Sequence, residues 1–273
     1  MSIVTEEGRR AWQSIVANPG GTLLCSDFDG VLSPIVLNPD EAYADPATIA
    51  ALSRLGGVLG KIAIVTGRVA RKAVQLGRLD GDAGLRGMSV LGLYGQERWD
   101  AASGEYLEPE PPAGLEDVKA ELPGVLRAAG VEAARVEDKR LSIGVHTRAL
   151  PDPAGAFAAL EGPVYELAAR HGLVVEPGKN VLEIRGEGVD KGDAVRALVG
   201  EVRPAVVIFA GDDLGDVAAF RAVRELRREG LKGLLICSGS DEQDALVELA
   251  DVVVDGPAGV ARLFAELADA LGV

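Results

Sequence analysis

The chain of 273 residues is 48% hydrophobic and 26% charged, the composition of a globular protein with one large or two ordinary domains rather than a disordered or fibrous one. Its 42 acidic against 28 basic residues leave a formal charge of −14, which argues against nucleic-acid or anionic-membrane binding through a basic surface. Two cysteines and two histidines exclude Cys-rich zinc sites, multi-disulfide scaffolds and multi-histidine metal centres. Cys25 and Cys237 each lie in an apolar run and read as small buried hydrophobes. No leader pattern opens the sequence and no window approaches the length of a spanning helix, so a soluble, cytoplasmic protein is expected, with a monomer as the default.

In chain order, short apolar runs that end at Gly, Ser or Asp predict strands over 22–26, 61–65, 90–93, 205–210, 233–237 and 251–254. They are apolar throughout instead of alternating, as strands buried on both faces of a parallel sheet are. Helical segments over 46–59, 69–76, 191–200, 216–229 and 243–249 separate them. Strand and helix alternate, which predicts a doubly wound, Rossmann-like α/β core.

The stretch after the proline cluster Pro109, Pro111 and Pro112 follows another pattern. Helices over 115–129 and 154–170 each precede two strands, at 133–137 and 141–147 and at 173–176 and 181–185. Leu141, Ile143 and Val145 alternate with Ser142, Gly144 and His146; Leu182 and Ile184 alternate with Val181, Glu183 and Arg185. That is the pattern of an antiparallel sheet covered on one side. The reading is a duplicated αββ module, an α+β insertion at 109–186 between core segments 1–108 and 187–273. Its polar face suits a solvated surface, or a polar ligand met by His146, Arg148 and Glu183.

Four segments carry chemistry. In Ser26-Asp27-Phe28-Asp29-Gly30 an apolar strand delivers two carboxylates to its carboxyl end, where open α/β sheets bind ligands. Neighbouring carboxylates that stay ionised need a cation, most simply Mg²⁺, although a turn containing acids has the same letters. Thr66-Gly67-Arg68 follows the second strand and fits either a phosphoryl contact or an ordinary helix N-cap. Lys191 opens a helix after the insertion, a place where most lysines are solvated charges. Gly211-Asp212-Asp213-Leu214-Gly215-Asp216 brings three more carboxylates to the sheet edge, and helix capping accounts for one of them. Together the four segments suit phosphoryl transfer. Gly57-Val58-Leu59-Gly60-Lys61-Ile62 is not a nucleotide-binding P-loop, since Leu55 and Ile62 occupy positions that need Gly and Ser or Thr.

In this order the four segments resemble the motifs of the haloacid dehalogenase-like (HAD) phosphatases. The stretch from about Leu23 to Leu267 is similar, more narrowly, to the trehalose-6-phosphate phosphatase family. That narrower match rests on Leu32-Ser33-Pro34-Ile35-Val36, Leu93-Tyr94-Gly95-Gln96-Glu97, Glu137-Asp138-Lys139, His146-Thr147-Arg148 and Pro177-Gly178-Lys179-Asn180-Val181-Leu182-Glu183-Ile184-Arg185. The chain departs from the family pattern at Gln96 and at Gly186, where a proline is common.

The resemblance implies Asp27 as nucleophile and Asp29 as general acid and base. It implies Mg²⁺ held by Asp27, the main-chain carbonyl of Asp29 and Asp212, with Asp213 and Asp216 orienting waters or Lys191. Thr66 and Lys191 would hold the phosphoryl group. Glu137, Lys139, His146, Arg148, Lys179 and Glu183 of a cap that closes over the core would contact the sugar, with Arg68 and Glu97 from the core. The expected substrate is trehalose 6-phosphate. Sucrose phosphate, glucosylglycerol phosphate and phosphohexomutase chemistry are the alternatives, and a non-catalytic sugar-phosphate sensor is disfavoured by the presence of both Asp27 and Asp29.

Overall fold

Every apolar run that carries its hydrophobicity on both sides enters one sheet. The computed structural model describes residues 3–186, 188, 190–239 and 244–273. Met1–Glu108 with Val189–Val273 form one compact unit and Pro109–Gly188 a second. The first unit begins with α1 (Glu6–Ala17), β1 (Thr22–Ser26), α2 (Pro46–Gly56), β2 (Lys61–Val65), α3 (Ala70–Gly77), β3 (Ser89–Gly92), β4 (Glu97–Asp100) and β5 (Tyr106–Leu107). The second holds α4 (Leu115–Ala128), β6 (Arg135–Asp138), β7 (Ser142–His146), α5 (Pro153–Arg170), β8 (Leu173–Gly178) and β9 (Val181–Gly186). The chain then completes the first unit with α6 (Lys191–Val202), β10 (Val206–Gly211), α7 (Val217–Arg228), β11 (Lys232–Gly239), α8 (Asp244–Val247), β12 (Val252–Asp255) and α9 (Gly256–Ala270).

The sheet of the first unit has the order β12-β11-β10-β1-β2-β3-β4-β5. Pairing is parallel from β12 to β3 and antiparallel from β3 through β5. Alternate residues feed two cores: Leu24, Ile62, Ile64, Val90, Ile208 and Ile236 enter one, and Leu23, Cys25, Ala63, Val65, Phe209 and Cys237 the other. Burial on both faces, as the uniform apolar runs imply, holds for β1, β2, β3, β10 and β11; the run at 251–254 forms the edge strand β12 and leaves Val253 exposed.

The second unit is a four-stranded antiparallel sheet of order β6-β7-β9-β8. Ile143, Val145, Leu182 and Ile184 pack with Leu122, Leu126, Leu160 and Leu167 of α4 and α5 in a third core. The alternation read from the sequence therefore separates a core face from a polar one.

Several expected elements differ from those observed. The strand expected at 90–93 stops at Gly92, because Leu93 and Tyr94 take left-handed conformations (φ 47° and 61°). The helix expected at 216–229 starts at Val217, after a single 3₁₀ turn capped reciprocally by Asp213 and Asp216. Of the helix expected at 243–249, Gln243 lies outside the described residues, as does Val189 in the segment before Lys191. The β4–β5 extension and helices α1 and α9 carried no expectation. No helix among the described residues is long and apolar enough to cross a membrane.

Candidate active site

β1 and β10 are neighbours, yet the chain runs from β1 outward through β2 and β3 on one side and from β10 through β11 and β12 on the other. The strand order reverses between them, and such a reversal opens a ligand crevice beyond the carboxyl ends of the strands. Asp27 follows β1, its N–H donating to the Ala210 carbonyl at 2.8 Å, and Asp212 follows β10. Asp27, Asp212, Asp213 and Asp216 each bring a carboxylate oxygen into a group spanning no more than 4.8 Å. All but Asp213 are buried.

Local capping fixes this cluster. Asp216 Oδ2 accepts from the backbone N–H groups of Asp212 (2.8 Å) and Asp213 (3.3 Å), so one carboxylate shapes the whole loop. Asp190 and Asp193 form a capping box at the start of α6, which sets Lys191 in the first turn. Lys191 Nζ lies 2.7 Å from both Asp27 Oδ2 and Asp216 Oδ1. It is only 3% exposed, so the solvated-lysine alternative does not hold. Gly30 has φ +69°, and a Cβ there would sit 1.9 Å from Asp212 Oδ2; glycine is required both for the conformation and for the close approach.

Among the described residues the cluster holds more carboxylates than cations. Burial pushes the Asp27 carboxyl up to about 8, with Asp216 and Asp213 adding to the rise and Lys191 opposing it. Burial, then Asp27, Asp216 and Asp213, raise Asp212 to about 9. Burial alone would lower the Lys191 pKa, but Asp216, Asp27 and Asp213 outweigh it and raise it well above its ordinary value, so the lysine stays charged. Among the described residues one ammonium faces four crowded carboxylates, and an all-oxygen donor set of this kind fits a hard divalent cation.

Asp29 is held differently. Arg68 Nε and Nη2 donate to its two carboxylate oxygens at 2.6 and 2.7 Å, and Nη1 donates to the Pro39 carbonyl at 2.9 Å. Thr66 is buried, with its Oγ1 accepting from Arg68 N–H at 3.2 Å. The N-cap alternative for Thr66 fails, because α3 begins at Ala70. There the carboxylate of Glu97 accepts from Ala70 N–H at 2.8 Å. Glu97, expected at the sugar, is 3% exposed, and its carboxylate satisfies an open helix end.

On the polar face of the second unit, Lys139 Nζ and Ser142 Oγ donate to the two carboxylate oxygens of Glu183 at 2.7 and 2.8 Å. His146 Nε2 lies 2.8 Å from Glu137 Oε2, and that bond holds the Glu137 carboxyl below its usual range. Arg148 and Lys179 are both exposed, with Arg148 Nη2 donating to the Lys179 carbonyl at 3.4 Å. The structure thus gathers Glu137, Lys139, His146 and Glu183 on paired strands β6, β7 and β9 or just beside them, with Arg148 and Lys179 at the adjoining loops.

The trehalose-phosphatase family model matches residues 25–252. The chain belongs to the trehalose-phosphatase family. It is 32% identical to a trehalose-phosphate phosphatase of Mycobacterium marinum over 90% of this chain and 61% of that one, so it spans less than two thirds of that relative. It is 34% identical to a probable trehalose-phosphate phosphatase of Sinorhizobium fredii over 73% of each chain. Among solved structures, a trehalose-6-phosphate phosphatase related protein matches with a TM-score of 0.68 and 26% identity, covering 90% of this chain and 97% of that one.

Two buried hydroxyls in this trehalose-phosphatase family member escaped the sequence reading. Ser26 Oγ donates to the Asp27 carbonyl at 2.7 Å and Ser238 Oγ to the Gly30 carbonyl at 2.6 Å. A lone serine at the end of an apolar strand gives no pattern to detect.

Proposed function

We propose that the chain is a Mg²⁺-dependent phosphatase that hydrolyses trehalose 6-phosphate to trehalose and phosphate. The observation that carries this reading is the buried group of Asp27, Asp212, Asp216 and Lys191 at the β1/β10 reversal, in a chain of this family.

Asp27, the Asp29 main-chain carbonyl and Asp212 would hold Mg²⁺, with Asp213 and Asp216 behind them; bound there, the cation supplies positive charge that offsets repulsion between a carboxylate and a phosphate dianion. Asp27 attacks phosphorus through a carboxylate oxygen while the bond to the sugar oxygen breaks, giving an aspartyl-phosphate. Lys191 and Thr66 stabilise charge on the equatorial oxygens. Asp29 gives a proton to the departing sugar oxygen and takes one back from the water that hydrolyses the intermediate. Its two bonds to Arg68 hold the carboxyl at rest, so its turn as acid requires at least one of them to be exchanged. Glu137, Lys139, His146, Arg148, Lys179 and Glu183 present donors and acceptors of the kind a hydroxyl-rich disaccharide needs.

Phosphate release from a panel of sugar phosphates, with Mg²⁺ and after chelation, tests the proposal. Release from trehalose 6-phosphate well above that from sucrose phosphate, glucosylglycerol phosphate and hexose phosphates, lost on chelation, is expected. Equal rates on all of them would remove the sugar assignment, and metal-independent release would remove the mechanism.

A further inference from the structure

The turn after β1 has four consecutive main-chain carbonyls, at Asp27, Phe28, Asp29 and Gly30. Three are committed within the protein. The Asp27 carbonyl accepts from Ser26 Oγ, the Phe28 carbonyl from the N–H groups of Leu32 (2.9 Å) and Ser33 (3.0 Å), and the Gly30 carbonyl from Ser238 Oγ. Among the described residues no hydrogen bond reaches the Asp29 carbonyl. Asp29 is half-buried, so this acceptor is open to a group from outside the protein that enters beside the buried carboxylates.

We infer that Ser26 and Ser238 are positioning residues that leave Asp29, alone among these four carbonyls, open to a cation. The inference rests on the metal reading proposed above. Both serines are fully buried, at 1% and 0% exposure, and their hydroxyls occupy the carbonyls on either side of the committed Phe28 and the open Asp29. Ser238 also ties the turn to the end of β11. Its acceptor, Gly30, is the residue against which Asp212 packs so closely that no Cβ fits. The Gly30 peptide therefore sets both where Asp212 rests and how the preceding carbonyl is turned. With either hydroxyl removed, a second carbonyl of the turn loses its partner and competes with that of Asp29.

The test is Mg²⁺ binding to the substrate-free full chain by isothermal titration calorimetry, with thermal melting in chelator alongside. Ser238→Ala and Ser26→Ala are each expected to weaken Mg²⁺ roughly tenfold, the usual scale for groups that orient ligands, with Ser26→Thr staying near wild type because it keeps the hydroxyl. Thr48→Ala, which removes a buried hydroxyl without a partner among the described residues, should leave Mg²⁺ binding unchanged. Alanine variants that melt earlier but bind Mg²⁺ as tightly as wild type would overturn the inference, since the serines would then be merely structural. Wild type that binds no Mg²⁺ would overturn the metal reading itself. If Ser238→Ala does not fold, Ser26→Ala with its threonine rescue carries the same decision.

Discussion

Helix α6 joins two charged clusters at opposite ends of the core sheet. At its first turn Lys191 meets Asp27 and Asp216 beyond the carboxyl ends of β1 and β10. Near its last turn Glu201 accepts from Arg98 at 2.6 and 3.0 Å, and Arg98 also donates to Asp100, which lies 3.7 Å from Lys61. The second group pairs two cations with two carboxylates, and the partners settle each other: hydrogen bonds from Arg98 leave Asp100 and Glu201 with lowered pKa values. The first sets one cation against four carboxylates and raises Asp27 and Asp212. The same residue types hold the fold where charges balance and invite a ligand where they do not.

Removing one charge from the unbalanced end should have the largest effect. Asp212→Asn is expected to lower turnover by about 10²-fold or more through loss of a cation ligand. Above about pH 9, where Asp212 is ionised in the chelated protein, the substitution should also raise the melting temperature by a few degrees, ~2–4 °C for each kcal/mol of relieved repulsion in a chain of this size. A lower melting temperature in chelator would show that the cluster is compensated already and would break the contrast between the two ends.

The contrast was half visible in the sequence. Asp27, Asp29, Thr66, Asp212, Asp213 and Asp216 were legible because strands buried on both faces leave unbroken apolar runs, and a carboxylate or hydroxyl just beyond such a run stands out; Lys191 follows no such run and was picked out only by its place in the order of the four segments. The balanced cluster was not. β4 is the short alternation Glu97-Arg98-Trp99-Asp100, in which only Trp99 and Glu97 turn inward, and a charged edge strand resembles a loop. Glu97 closes the open end of α3 from 27 residues away, a pairing made by register between β3 and β4 rather than by local pattern. Ser26 and Ser238 act through single hydroxyls, which no periodicity marks.

The pH dependence of stability separates the ends next. Asp27 and Asp212 titrate near 8 and 9 in the folded chelated protein, against an ordinary 3.8. Between those values the native state binds more protons than the unfolded chain, so stability falls as pH rises and levels off above about 9. Melting temperature in chelator should decline from pH 6 to 9, while the gain on adding Mg²⁺ widens over the same interval, because the cation replaces the protons. A chelated profile flat across that range would mean that Lys191 alone neutralises the cluster.

The balanced end should respond weakly and in the opposite sense. Glu201 is half exposed, so solvent screening limits its pairing with Arg98, and Glu201→Gln should cost about 1 kcal/mol or less at neutral pH. Its folded pKa is depressed by the Arg98 hydrogen bonds. The stabilisation is therefore present above the ordinary carboxylate range and is lost as pH falls through the depressed value, so wild type and variant should converge in acid. Melting curves of the two proteins from pH 3 to 8 would show this, and neither Mg²⁺ response nor turnover should change. A shift in either one would mean that charge at the far end of α6 is felt at Lys191, and that the helix couples two clusters that its geometry otherwise keeps apart.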